Sequence, residues 1–194
     1  MKEHHNITGI ILAGGKSTRI GTDKAFIKLN GITFIEHITK SISPFVSEII
    51  IVSNNTAYDK LGYKRVEDLI KDSGPLAGLY TGLHYSKTAY NLVLSCDVPL
   101  VNDRVLNTLI DGIDGTSEVI QLKSLDRTIP LVAIYKKECV TKCLELLNKG
   151  ERRLRAFVNQ LNTKTITLKS DLDIYVQNIN TLEQFKDIEH AIEH

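Results

Sequence analysis

The sequence predicts an α/β fold with a mostly parallel central sheet and helices on both of its faces. Three observations carry that expectation. Apolar runs such as Ile10-Ile11-Leu12 and EIIIVS at 48–53 are short, continuous and rich in β-branched residues, as strands buried on both faces are. In the first half of the chain such runs alternate with amphipathic stretches of helical length, the order expected of parallel strands joined by crossover helices. The 194 residues, 42% hydrophobic and 24% charged, contain no repeat, low-complexity tract or linker, which suits one domain with a sizeable core.

The elements follow in order. The first strand ends at Leu12 and breaks into Gly14-Gly15. Residues 25–29 alternate as a short strand, and Asn30-Gly31 supplies a turn. Thr33 is placed to cap a helix whose apolar face holds Phe34, Ile35, Ile38 and Ile42, with Pro44 ending it. Residues 48–53 form the second buried strand and 63–66 a shorter one closed by Glu67-Asp68. Pro75 fits the first turn of the next helix, where Gly74, Ala77 and Gly78 keep the backbone close to its neighbour. Residues 91–95 are a strand broken by Cys96-Asp97-Val98-Pro99, and Asn102 caps a helix over 103–111. Residues 117–122 and 129–135 read as an antiparallel pair around a polar turn at 123–128. Helices over 138–147 and 151–161, a strand at 165–168, an extended piece at 173–179 and a closing helix over 181–192 complete the chain.

Charge and cysteine content exclude several classes of function. A net charge of +1 offers no basic surface for nucleic acid or an anionic membrane. No apolar stretch approaches a membrane span, and the N-terminal MKEHHN lacks the layout of a leader peptide, so a cytoplasmic location is expected. Cys96, Cys139 and Cys143 do not form a disulfide framework, and neither they nor the six scattered histidines have metal-ligand spacing. Packing cysteines are expected.

The chemistry gathers in residues 7–24, ITGIILAGGKSTRIGTDK. A buried strand that ends in a glycine-rich, N–H-rich loop and is followed by Lys16, Arg19 and Lys24 suits a phosphate chain. GGKS looks like the tail of a Walker A loop, but that pattern needs a glycine where Ile10 stands. GxGxxG fails too, because the segment holds no Gly-x-Gly. In open α/β sheets ligands bind outside the carboxyl ends of the strands, where Asn54, Asp68 and Asp97 also fall. Asp97 follows a rigid apolar strand, and a carboxylate beside a triphosphate calls for a bridging cation, for which Mg²⁺ is suited. A turn or helix-capping aspartate is the plain alternative.

The remaining pattern, LAGGxSxR followed by DK, resembles the signature of nucleotidyltransferases with a Rossmann-like fold, most closely the molybdenum cofactor guanylyltransferases. The resemblance implies a single-domain, three-layer fold over 1–194, nucleotide-binding in its N-terminal half and acceptor-binding in its C-terminal half. It implies that Leu12, Ala13, Gly14, Gly15, Lys16, Ser17, Arg19 and Lys24 hold GTP, with Arg19 and Lys24 on its phosphates. GPLAG at 74–78 looks like the guanylyltransferase version of a second motif, which adds Gly74, Pro75 and Leu76. SCDVP is similar to the element that carries the Mg²⁺ aspartate, here Asp97, and RVED to the element whose acid contacts guanosine. That acid is Asp68, with Asp72 as competitor and Asn54 nearby. NINT at 178–181 resembles an acceptor-side element, giving Asn178 and Asn180, and GERR at 150–153 adds Arg152. One departure stands at Ile129, where relatives often carry histidine before the proline.

The expected activity is transfer of GMP from MgGTP to the terminal phosphate of molybdopterin, with Arg19, Lys24 and Asp97 as the catalytic set. The expected partners are those two small molecules, together with transient contact to cofactor-biosynthesis or acceptor proteins, and neither nucleic acid nor membrane. Two alternatives stay open: a nucleotidyltransferase using another base or acceptor, such as CTP or a sugar or polyol phosphate, and a non-catalytic nucleotide-binding module.

Overall fold

The computed structural model describes residues 6–14, 23–179 and 184. Strand β1 (Ile7–Leu12) is buried along its whole length because it has a parallel neighbour on each side. After it come the hairpin strands β2 (Lys28–Leu29) and β3 (Ile32–Thr33), helix α1 (Phe34–Ile42), and strands β4 (Glu48–Val52) and β5 (Lys64–Val66). Helix α2 (Gly74–Tyr85), β6 (Tyr90–Ser95), α3 (Asp103–Ile110), β7 (Val119–Ser124) and β8 (Arg127–Lys136) follow. Helices α4 (Cys139–Asn148) and α5 (Leu154–Val158) and strand β9 (Thr163–Thr167) complete the set. Among the described residues the main sheet has seven strands in the order β5-β4-β1-β6-β8-β7-β9. Strand β8 runs against both of its neighbours, and the other pairings are parallel.

The two-residue period of β1 sorts the core into two layers. Ile7 and Ile11 face one side, with Ile35, Ile38 and Ile42 of α1 and Val105, Leu106 and Leu109 of α3. Ile10 and Leu12 face the other, with Leu76, Leu79 and Leu83 of α2 and Cys143 and Leu146 of α4. The result is the three-layer α/β architecture expected. Cys139 and Cys143 are free thiols packed in the second layer, as expected of packing cysteines. The predicted cap of α1 forms as a full capping box, Thr33 accepting from the Glu36 N–H while the Glu36 carboxylate accepts from the Thr33 N–H.

Four segments differ from the sequence reading. Residues 24–26 form a 3₁₀ turn rather than the start of a strand, because the Asp23 carboxylate caps the Ala25 N–H and Ala25 turns into the core. The turn at 123–128 tightens to Leu125 and Asp126, at φ 45° and 62°, and the strands run on to meet it. The helix expected over 151–161 shrinks to α5, because the Glu151 carboxylate accepts from the Arg152 and Arg153 N–H groups and holds the preceding residues in a turn. Residues 170–176 are a 3₁₀ helix rather than extended, a coil that puts Leu172 and Val176 together in the core. The expected closing helix lies outside the described residues apart from Gln184.

Strand order switches at β1, with β4 and β5 laid on one side of it and β6 on the other, so ligands belong at the carboxyl ends of these strands. Helix α2 seals the other side of that edge by close approach. A Cβ at Gly78 would stand 3.4 Å from Leu12 Cδ2, and one at Gly82 would press into Ile10. Gly82→Ala is therefore expected to destabilise the fold by about 1–3 kcal/mol. The urea midpoint should fall accordingly; an unchanged midpoint would mean that the α2–β1 contact yields without cost.

Candidate functional site

The carboxyl ends of β1, β4 and β5 and the start of α2 enclose a cleft of about 650 Å³, a volume suited to a nucleotide-sized ligand. Leu12, Ala13 and Gly14 form its floor. The main chain there is partly committed to the sheet. The Ala13 N–H donates to the Val52 carbonyl at 3.0 Å, and the Leu12 carbonyl accepts from the Cys96 N–H at 3.1 Å. Main-chain recognition at this point therefore falls chiefly to atoms beyond those two groups.

Asn54 and Asp68 close one wall as a reciprocal pair. Asn54 Nδ2 donates to Asp68 Oδ2 at 3.1 Å, and the Asp68 N–H donates back to Asn54 Oδ1 at 3.0 Å. The pair ties the loop after β4 to the loop after β5 and leaves Asp68 between Gly14 and Gly78. Half-burial pushes the Asp68 carboxyl above its ordinary value, the Asn54 bond pulls it back, and the charge of Asp72 raises it again. Asp72 lines the same cleft, so both acids named from the sequence sit there, and Asp68 is the one with a built partner.

Gly74 and Pro75 line the opposite wall, where α2 begins. Gly74 adopts φ 68°, which favours glycine, and a Cβ there would lie 3.4 Å from the Arg152 carbonyl. The 74–78 and 150–153 segments, distant in sequence, thus meet. Two sequence expectations change at this wall. Leu76 is wholly buried among the apolar residues of the second layer, so any ligand contact belongs to its main chain. The Arg152 guanidinium turns to the end of α4, donating to the Leu147 and Glu151 carbonyls at 2.9 Å each.

At the end of β6, Ser95 lines the cleft, and Asp97 follows two residues later. Asp97 Oδ1 is buried without a hydrogen-bond partner among the described residues, a costly arrangement for a carboxylate unless a ligand completes it. The Asp97 carbonyl accepts from the Ile179 N–H at 2.8 Å, which brings exposed Asn178 to the same loop. No group of three His, Cys, Asp or Glu side chains among the described residues could hold a metal by itself. A single carboxylate with substrate oxygens and water is nevertheless a common Mg²⁺ arrangement, and Asp97 fits it. Gly15, Lys16, Ser17, Arg19 and Asn180 lie outside the described residues.

Asp23, which enters the sequence reading only as part of the DK pattern, also lines the cleft, as do Asn55 and Leu131, which that reading does not name as site residues. Leu131 reaches it through an irregularity in β8. Gln121 pairs with Ala133 and Leu122 with Ile129, so residues 130–132 have no partner on β7. Pro130, which lacks an N–H, was the available signal.

Residues 9–165 match the family model described as the MobA-like NTP transferase domain. The chain is 31% identical over 182 residues to a probable molybdenum cofactor guanylyltransferase of Flavobacterium johnsoniae, covering 94% of this chain and 96% of that protein. It is 34% identical over 194 residues to a molybdenum cofactor guanylyltransferase of Desulfosudis oleivorans, covering 96% of each. Among solved structures, molybdopterin-guanine dinucleotide biosynthesis protein A from Archaeoglobus fulgidus superposes with a TM-score of 0.80 at 25% identity, covering 96% of this chain and 98% of that one.

The Asn54–Asp68 pair can be tested in the ligand-free protein. Asn54→Ala removes the bond that favours the ionised carboxylate, so the Asp68 titration midpoint, followed by carbon-detected NMR, should rise above that of the wild type. The native state already holds this proton more tightly than the unfolded chain does. Stability should therefore fall as pH rises through the Asp68 titration, and fall further in the variant. An unchanged or lower midpoint would show that the bond does not stabilise the ionised form.

Proposed function

The chain belongs to the MobA-like NTP transferase domain family, and from that premise we propose that it is a molybdenum cofactor guanylyltransferase, transferring GMP from MgGTP to the terminal phosphate of molybdopterin. The observation that carries the reading is the Asn54–Asp68 pair in a cleft that Ala13 and Gly14 also line. Asp68 and Asp72, acceptors when ionised, line the cleft from the connection between β5 and α2. Guanine presents donors at N1 and N2 and an acceptor at O6, so its donor edge suits Asp68, which Asn54 holds in place. A triphosphate would be repelled by those acids. The sequence pattern assigns it to the glycine-rich segment, Gly14, Gly15, Lys16, Ser17, Arg19 and Lys24, with Asp97 as the metal carboxylate. Gly74, Pro75 and the Leu76 main chain at the start of α2 complete the nucleotide side.

The reaction asks little covalent chemistry of the protein. A terminal phosphate oxygen of the acceptor forms a bond to the α-phosphorus of GTP. The bond from that phosphorus to the bridging oxygen breaks, and pyrophosphate leaves with the electron pair. The acceptor is already anionic, so the work lies in alignment and charge neutralisation. Lys24 and Arg19 would supply positive charge, and the glycine-rich segment main-chain N–H groups, to the chain of phosphates. Mg²⁺ held by Asp97 would neutralise phosphate oxygens as a Lewis acid. The acceptor enters beside Asn178, which the Ile179 bond places at the Asp97 loop, with Asn180 following and Arg152 flanking the start of α2.

Incubation with Mg²⁺, molybdopterin and each of the four nucleoside triphosphates tests the reading. Guanine dinucleotide cofactor and pyrophosphate should form with GTP, with a preference over ATP and CTP of about tenfold or more. Asp97→Asn should lower turnover on the order of a hundredfold while leaving metal-free GTP affinity largely intact. Equal turnover with CTP would replace the guanylyl reading with a cytidylyl one, and full activity of Asp97→Asn would remove the metal assignment.

A further inference from the structure

Asp23 stands immediately before Lys24, and both oxygens of its carboxylate are engaged. Oδ1 accepts from the Ala25 N–H at 3.2 Å, and Oδ2 accepts from Asn55 Nδ2 at 3.1 Å and from the Tyr58 hydroxyl at 2.9 Å. The donors come from two places. Ala25 belongs to the 3₁₀ turn Lys24–Phe26 that Asp23 caps, whereas Asn55 and Tyr58 belong to the segment after β4. Asn55 is itself fixed, accepting from the Ala57 N–H at 2.9 Å. Tyr58 is 0% exposed and packs against Phe26 with ring centroids 4.8 Å apart, and burial holds its phenol well above the ordinary range, so the hydroxyl keeps its proton. Lys24 is thus flanked by two anchors, the Asp23 carboxylate before it and buried Ala25 with Phe26 after it.

We propose that Asp23 is a positioning residue whose carboxylate, held by Tyr58 and Asn55, clamps the Lys24 turn to the end of β4 and so sets the reach of Lys24 toward the nucleotide phosphates. The inference rests on the nucleotidyltransferase reading above. A lysine is a point charge on a long flexible stem, and fixing its backbone limits the positions that the ammonium can take. Three neutral donors already occupy the Asp23 oxygens, which leaves fewer lone pairs to ligate a metal.

The test has two arms. In nucleotide-free protein, hydrogen exchange at the Ala25 and Phe26 amides reads the clamp itself. Exchange should quicken in Asp23→Ala and, to a smaller extent, in Tyr58→Phe, which removes one oxygen atom and keeps the ring packing. Calorimetry with MgGTP reads the consequence. Asp23→Ala should weaken binding by about tenfold and Tyr58→Phe by less. In a Lys24→Ala background the same substitutions should cost nothing further, because they act through Lys24. Equal losses in both backgrounds would make Asp23 a general stabiliser and overturn the proposal. An altered preference between Mg²⁺ and Mn²⁺ in Asp23→Ala would make it a metal ligand, with the same result. A wild type that binds no MgGTP would instead sink the nucleotide reading, and the phosphate role of the clamp with it. Unchanged exchange in Asp23→Ala, with a wild type that binds MgGTP, would sink the clamp alone.

Discussion

The parallel ladder that holds β1 between β4 and β6 is the constraint on which the rest depends. Because β1 is paired on both edges, its end is placed with little freedom, and the chain that leaves it at Ala13 and Gly14 starts from a fixed point. The same pairing delivers Val52 and Ser95, hence Asn54 and Asp97, to the same edge of the sheet. Helix α2 can approach this edge because Gly78 and Gly82 present no side chain to Leu12 and Ile10. The cleft is what remains where the helix begins and the strands stop.

Around that edge, three polar ties convert strand ends into a shaped site. Asn54 with Asp68 joins the loops after β4 and β5. Asp23 with Asn55 and Tyr58 joins the far end of the glycine-rich segment to the loop after β4. The Ile179 N–H on the Asp97 carbonyl joins the C-terminal segment to the loop after β6. Each tie crosses between segments distant in sequence, and each fixes a residue adjacent to, or part of, the proposed chemistry. In a half-buried setting such bonds favour one arrangement of the loops, because leaving either partner unpaired is costly.

Much of the fold was legible in the sequence. The buried strands, the Thr33 and Asn102 caps and the helix beginning at Gly74-Pro75 are local patterns, and local rules found them. The errors came where a long-range or side-chain tie overrides the pattern. Ala25 and Phe26 alternate like a strand, yet the Asp23 cap turns them. Glu151 looks like a helical residue, yet its carboxylate captures the next two N–H groups. Asp68 lines the cleft and Asp97 follows the end of β6, both at the strand-end positions that the sequence indicated. Leu76 shared the motif but faces the core, and the partners of Asp23 could not be read from spacing, because they lie 32 and 35 residues away.

We propose that the base lies against Asp68 in the cleft and the metal on Asp97, beyond the end of β6. A crystal structure with Mn²⁺ in place of Mg²⁺ and a non-hydrolysable GTP analogue measures both positions at once, the metal by its anomalous signal. Manganese is expected directly on the Asp97 carboxylate, with the N1–N2 edge of guanine against Asp68. Manganese remote from Asp97, or a guanine turned away from Asp68, would contradict it.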